Sequence, residues 1–226
     1  MGSEMCIRDR SKIAIVYSGQ PRALRECYPN HKEFLFDPNS EHEIDVFYHL
    51  WGEHADPTLK YFCDTLWPVK ECAWEDAKSF SHETIRPDPQ AYHPLNNIVS
   101  QAYGWQQTFE MMDKYVQENG EYDFVVRTRT DNWFVEEIGD LNNYDPHGLH
   151  ITDIKSHTEY ALGDTFAWGD YTAMKAYLNL FNNFEEIVEE GARVNPECLL
   201  GWAIERENIK VTKHPMYPKL YRDVVR

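Results

Sequence analysis

The stretch KIAIVYSGQPR (residues 12–22) decides the fold of this protein. Five of its first six residues are apolar and three of them are β-branched, which is typical of a buried strand, and the turn sequence SGQPR follows directly. A helical pattern of apolar residues then begins at Ala23. A strand, a loop and a helix in this order predict the opening unit of an α/β domain.

Strands and helices alternate along the rest of the chain. Strands are predicted at residues 43–51, 69–74, 122–131, 150–154 and 209–212, and helices at residues 58–66, 96–118, 171–190 and 195–207. The clearest is the helix over 96–118, where apolar residues from Ile98 to Val116 recur at steps of three and four. The alternation predicts a mostly parallel sheet with helices on both faces.

The composition favours one folded domain, over residues 12–226. A chain of 226 residues with 14% aromatic side chains can bury a core, which excludes a disordered protein. Residues 1–11 lack a signal-peptide core and are interpreted as a non-native or disordered leader. The cysteine spacings match neither a zinc site nor the disulfide framework of a secreted protein, which indicates a cytoplasmic protein. One disulfide, between Cys63 and Cys72, remains an alternative. No apolar run is long enough for a membrane-spanning helix.

The charge restricts the ligands that this protein can bind. With 38 acidic and 22 basic residues the formal net charge is −16, which disfavours nucleic acid as a partner. An anionic ligand therefore needs a local cationic pocket or a metal ion. Peripheral contact with a membrane stays open.

Two segments supply the candidate cations. In VVRTRTD (residues 125–131), alternation along a strand predicts Arg127, Arg129 and Asp131 on one face, either as a phosphate and metal site or as a structural salt-bridge ladder. After the first strand, SGQPR (residues 18–22) is either a ligand loop or an ordinary turn, and it matches neither a dinucleotide fingerprint nor a P-loop. If the two strands are parallel neighbours, both segments lie at the same sheet edge.

Four segments together carry a family resemblance. They are SGQPR (residues 18–22), DVFYHLW (residues 45–51), YDFVVRTRTD (residues 122–131) and NPECLL (residues 195–200). In this order they resemble the WavE-type lipopolysaccharide-synthesis proteins and related GT-A glycosyltransferases, over about Lys12 to Val211. The resemblance implies a Rossmann-like GT-A fold, a nucleotide-diphosphate-sugar donor, a glycan or lipopolysaccharide-type acceptor, and Mn²⁺ or Mg²⁺.

The resemblance also implies roles for individual residues. Nucleotide binding falls to Ser18, Gly19, Gln20, Arg22, Arg127 and Arg129. Asp131 and His214 are the implied metal ligands, although Arg129 stands where the family's Asp-x-Asp motif has its first acid. Glu197 is the candidate general base, Asp164 a catalytic and sugar-binding residue, and Trp168 a stacking surface for the acceptor sugar.

Each role has a structural alternative. Trp168 can be a core residue, Glu197 a favourable residue in a first helical turn, and His214 an ordinary loop histidine. Asp45 and His49 are weaker candidates for the site. Two other functions stay open: a sulfotransferase-like nucleotide-dependent transferase, and a non-catalytic carbohydrate-binding protein on a degenerate transferase scaffold.

Overall fold

A computed structural model describes residues 10–52, 57–80, 94–154, 161–216 and 218–225. The predicted leader lies almost entirely outside these ranges. The strands are β1 (Lys12–Gly19), β2 (Glu43–Trp51), β3 (Val69–Glu75), β4 (Phe124–Thr128), β5 (Asn132–Trp133), β6 (Leu149–Thr152), β7 (Ala167–Gly169), β8 (Val211–His214) and β9 (Lys219–Leu220). The α-helices are α1 (Leu24–His31), α2 (Pro57–Leu66), α3 (Leu95–Asn119), α4 (Tyr171–Leu178), α5 (Phe184–Glu189), α6 (Pro196–Arg206) and α7 (Tyr221–Val224).

Seven of these strands form a central, mostly parallel sheet, as predicted. Their order is β3-β2-β1-β4-β7-β6-β8, and β5 pairs separately with β9. Strand β1 pairs in parallel with both β2 and β4, so the two candidate cationic segments do end at the same edge. Strand β7 is the exception, because it is antiparallel to both of its neighbours.

Helices cover both faces of the sheet, and side-chain alternation along β1 and β4 divides the core in two. Ala14, Val16 and Val125 pack on the face covered by α3, whereas Ile15 and Val126 pack on the opposite face. The apolar stripe predicted for α3 is buried along its length, which confirms that this face of the helix meets the sheet. No helix in the described ranges has the length and apolar character needed to cross a bilayer.

Two predicted elements end earlier than expected. Strand β4 stops at Thr128 because the chain turns there, and the side chain of Asn132 fixes the turn by donating to the Thr128 hydroxyl at 3.0 Å. The helix predicted over 171–190 is interrupted by a 3₁₀ turn at Leu180–Asn183. Asparagine side chains compete with helical hydrogen bonds, and Asn182 donates to the Asn179 side chain at 3.1 Å.

The thiols of Cys63 and Cys72 are both free, so the disulfide that the sequence left open is absent. Cys63 is fully buried on α2, and burial raises the pKa of its thiol to about 12. It therefore behaves as a small apolar core residue.

Gly148 and Gly191 form a matched pair for testing how closely β6 and β8 pack. Both have left-handed φ angles, +93° and +107°, but a Cβ on Gly148 would lie 2.5 Å from the Lys210 carbonyl oxygen, whereas one on Gly191 would meet nothing within 4 Å. We expect Gly191→Ala to lower the free energy of unfolding by about 1–2 kcal/mol. Gly148→Ala should cost roughly 2 kcal/mol more, because β8 has to move. Urea unfolding measures both, and equal losses would contradict the steric explanation.

Candidate functional site

A cleft of about 420 Å³ lies at the carboxyl edge of the central sheet. Parallel strands end there and leave room for a ligand between the loops that follow them. The cleft is lined by all six residues predicted for nucleotide binding, Ser18, Gly19, Gln20, Arg22, Arg127 and Arg129. Three predicted carboxylates, Asp131, Asp164 and Glu197, line it as well. The cleft therefore brings together nine of the eleven residues to which the sequence assigned a role, whereas the weaker candidates Asp45 and His49 are not part of its lining.

The loop after β1 and the turn after β4 are joined by one hydrogen bond. The hydroxyl of Thr130 donates to the Gln20 carbonyl at 2.8 Å. This bond holds the two cationic segments side by side, and Arg22 and Arg129 line the same cleft. The predicted ligand loop is thus part of the cleft wall.

Arg127 is a buried cation on the cleft floor. Only 2% of the residue is exposed, its guanidinium carbon lies 4.9 Å from the centroid of the Trp105 ring, and it donates to the carbonyl oxygen of Asp164. Its Nε has no hydrogen-bond partner within the described structure, and burial lowers the pKa of the guanidinium. A buried guanidinium remains charged, so this arrangement favours an anion in the cleft.

Arg129 and Asp131 form an ion pair instead of lining one face of a strand with Arg127. Arg129 donates from Nε to one carboxylate oxygen of Asp131 at 2.8 Å and from a terminal nitrogen to the other at 3.0 Å. The expectation of one shared face is wrong because β4 ends before Arg129 and the chain turns. Asp131 is 6% exposed, and both of its oxygens already accept a charged hydrogen bond.

His214 lies far from Asp131 along the sheet. It ends β8, which is separated from β4 by β7 and β6. Its Nε2 lies 2.8 Å from Nδ1 of His150, and its ring packs 4.8 Å from the ring of Trp168. Burial, and then the charge of His150, lower the pKa of His214. The order of the strands therefore gives no support to the pairing of His214 with Asp131 on one metal ion.

The donor set of the cleft does not fit a divalent metal. Asp131 is occupied by Arg129, and the described part of the chain has no group of three or more histidine, cysteine, aspartate or glutamate side chains able to hold an ion. Mn²⁺ and Mg²⁺ prefer several oxygen ligands in one place. The metal site implied by the family resemblance is not formed by these residues.

Trp168 is a core residue and not an acceptor platform. It lies on β7 directly across from Val126, on the sheet face opposite Arg127, and is fully buried. Its ring stacks on the His150 ring at 5.2 Å with an interplanar angle of 12°. A sugar has no access to this ring, so the predicted stacking role is wrong and the structural alternative is correct.

Asp164 and Glu197 are two carboxylates in different environments. Asp164 accepts a hydrogen bond at 2.7 Å from the side chain of Gln101 on α3. Glu197 sits in the first turn of α6, where the Asn195 side chain caps its backbone N–H at 3.0 Å, and its buried Oε2 has no hydrogen-bond partner among the residues that the structure describes. Burial, and then the charge of Asp164, raise the pKa of Glu197. A carboxylate with a raised pKa is suited to accept a proton.

Several residues that line the cleft have no role in the sequence-based prediction, among them Trp51, Thr165 and Arg222. Trp51 ends β2 and stacks on Tyr103 with ring centroids 5.8 Å apart. The hydroxyl of Thr165 is buried and has no hydrogen-bond partner in the described part of the chain, and Arg222 comes from α7. The position of Trp51 at the end of a predicted strand could have indicated from the sequence that it lines the cleft. The sequence gives no such indication for Arg222, because this residue reaches the cleft through the long-range pairing of β9 with β5.

Among known proteins, no family model matches this chain and no curated protein is significantly similar to it. The function is therefore inferred from the geometry of the cleft.

The raised pKa of Glu197 predicts how stability depends on pH. A carboxyl group whose pKa is higher in the folded protein contributes stability at low pH that is lost as the pH rises through the folded pKa. We expect the free energy of unfolding of Glu197→Gln minus that of the unmodified protein to increase as the pH rises from below 4.5 to 8, so that the variant gains relative stability. Urea unfolding across this range is the measurement.

Glu205→Gln is the matched control, because Glu205 is an exposed carboxylate on the same helix. If the two variants show the same pH dependence relative to the unmodified protein, Glu197 has no raised pKa.

Proposed function

We propose that the protein is a glycosyltransferase that moves a sugar from a nucleotide-diphosphate donor to a glycan or lipopolysaccharide-type acceptor. The observation that carries this proposal is Arg127, a buried guanidinium on the cleft floor with an unpartnered Nε. A diphosphate would supply the anion that this cation requires. The order of the sequence segments that resemble WavE-type proteins supports the same activity.

The charge distribution around the cleft supports an anionic ligand. Four arginines line it, Arg22, Arg127, Arg129 and Arg222, in a protein of net charge −16. The first turns of α3 and α6 also contribute lining residues, among them Asn97 and Pro196. Helix N-termini carry partial positive charge, and a cleft concentrates the local field, so a phosphate group is favoured there despite the acidic exterior.

The two remaining carboxylates suit the transfer step. The acceptor oxygen attacks the anomeric carbon of the donor, the bond from that carbon to the diphosphate oxygen breaks, and the nucleoside diphosphate leaves with the bonding electron pair. Glu197 takes the proton of the acceptor hydroxyl, and Asp164 accepts a hydrogen bond from a sugar hydroxyl. The arginines stabilise the charge that develops on the leaving group.

The proposal predicts nucleotide binding that depends on the cleft arginines. Isothermal titration calorimetry with UDP, GDP, CDP and dTDP should show binding of at least one. Arg22→Gln should weaken that binding by roughly tenfold to a hundredfold, because a charged hydrogen bond to phosphate contributes about 1.5–3 kcal/mol. Arg206→Gln is the control, since Arg206 pairs with Glu186 on the surface away from the cleft. If none of the four diphosphates binds, the proposal is lost.

The proposal also predicts which variants lose turnover while retaining nucleotide affinity. Glu197→Gln should lower the rate of nucleoside diphosphate release from its sugar donor by about 10²–10⁴-fold, the usual contribution of a general base, with nucleotide affinity nearly unchanged. The rate of the unmodified enzyme should fall as the pH drops through the raised pKa of Glu197. Release is measured over a panel of nucleotide sugars with glycan acceptors. Unchanged release by Glu197→Gln would remove this residue from the mechanism.

One observation favours a second candidate function. The arginine-rich cleft, in which Asp131 is already paired, also suits a sulfotransferase-like enzyme, which binds adenosine 3′,5′-bisphosphate without metal. The same calorimetry distinguishes the two. Binding of adenosine 3′,5′-bisphosphate, with no binding of the four diphosphates, would favour this candidate.

A further inference from the structure

We infer that the protein balances the charge of the nucleoside diphosphate with arginines oriented by the protein itself, and not with a divalent cation bound at Asp131. This inference rests on the proposed glycosyltransferase function. It assigns Asp131 a different role, that of a positioning residue for Arg129.

The first observation is the geometry of the Asp131 carboxylate. Both oxygens accept hydrogen bonds from Arg129, at 2.8 Å and 3.0 Å, and the Asp131 side chain is 8% exposed. A paired contact of this kind fixes the plane of the guanidinium as well as its position. A metal ion at Asp131 would have to share the carboxylate with Arg129, and the positive charge of the guanidinium would disfavour it.

The second observation is the position of Arg129 itself. It stands two residues before Asp131, and an arginine at this position supplies no second carboxylate to a metal ion at Asp131. The side chain is 25% exposed and lines the cleft, whereas the buried Arg127 lies on the floor of the same cleft. The two guanidinium groups therefore approach one ligand from the wall and from the floor.

The third observation concerns the backbone of Asp131, which contacts the segment that carries Arg222. The backbone N–H of Tyr221 donates to the Asp131 carbonyl at 2.8 Å, and Arg222 follows immediately and lines the cleft. Asp131 thus holds Arg129 with its side chain and anchors the segment that carries Arg222 with its backbone. A position that organises two cations is poorly suited to bind a third.

Taken together, the cleft lining has four arginines, one of which, Arg129, is paired with Asp131. This leaves three positive charges that no Asp131 charge offsets, with Asp164 and Glu197 also lining the cleft, and a diphosphate that carries about two to three negative charges can be held by them without an ion. Guanidinium groups bind phosphate oxygens in pairs, and an orientation set in advance lowers the entropic cost of binding.

Calorimetry with UDP and GDP, in the presence of either a chelator or excess Mn²⁺, tests the inference on the unmodified protein. We expect dissociation constants that agree within about threefold between the two conditions. A diphosphate that binds only with Mn²⁺, or at least about tenfold more tightly with it, would overturn the inference and leave the proposed function intact. If no nucleoside diphosphate binds under either condition, it is the proposed function that fails.

Arg129→Gln gives opposite results under the two explanations. If Arg129 binds the diphosphate, the variant loses affinity by roughly tenfold or more both with chelator and with Mn²⁺. If Asp131 is a metal ligand, the variant frees its carboxylate, and affinity in Mn²⁺ is kept or increased. The second result would overturn the inference. Arg206→Gln is again the control for the loss of one arginine.

Asp131→Asn separates a positioning role from metal binding. The asparagine keeps the shape of the side chain but removes its charge, so any change in diphosphate affinity should be the same with chelator and with Mn²⁺. A loss of affinity that occurs only in the presence of Mn²⁺ would overturn the inference.

Electron paramagnetic resonance of Mn²⁺ titrated in the presence of UDP gives an independent measurement. The free-ion signal should fall equally with the unmodified protein and with Asp131→Asn, and a smaller fall with the variant would contradict our assignment.

Discussion

A guanidinium group enclosed between the sheet and α3 is the constraint on which the candidate site depends. Arg127 is charged and almost fully buried, and its contacts among the described residues include a backbone carbonyl, the face of Trp105 and the side chain of Tyr177, none of which is an anion at neutral pH. Removing a charge from water is costly, and a neutral partner recovers part of that cost. Arg127 lies at the end of a central parallel strand, so an anion that compensates the rest of this cost would bind in the cleft. The core and the ligand site are therefore coupled through one side chain.

The acidic composition of the chain is consistent with such a site. Exposed carboxylates on α5 and at its end, from Glu185 to Glu190, account for part of the surplus, and two of them pair with Arg206 on the surface. Inside the cleft the balance is reversed, with four arginines against three carboxylates. One of those carboxylates, Asp131, is already paired with Arg129. The remaining two, Asp164 and Glu197, lie in the same cleft, and their mutual repulsion helps to raise the pKa of Glu197.

Much of the fold was predictable because local patterns and tertiary packing agree. The periodic stripe on α3 and the apolar runs of β1 and β2 each specify one element, and the structure has them within one or two residues. The failures occur where a polar side chain redirects the backbone. Asn132 ends β4 early, and with it the expectation that Arg129 and Arg127 share a face. The failure at Trp168 has a different cause, because the residues around it in the sequence do not show whether its ring is buried or exposed.

The sequence by itself determined the alternation of strands and helices, the edge at which a ligand would bind, and most of the residues that line that edge. These follow from side-chain periodicity and from the rule that parallel strands end together. Only the tertiary structure decided how the charges pair. The contact between Arg129 and Asp131, the separation of His214 from both, and the arrival of Arg222 from the end of the chain depend on turns and on strand pairings distant in sequence. Spacing along the chain carries no information about them, because a hydrogen bond is decided by distance and direction in space.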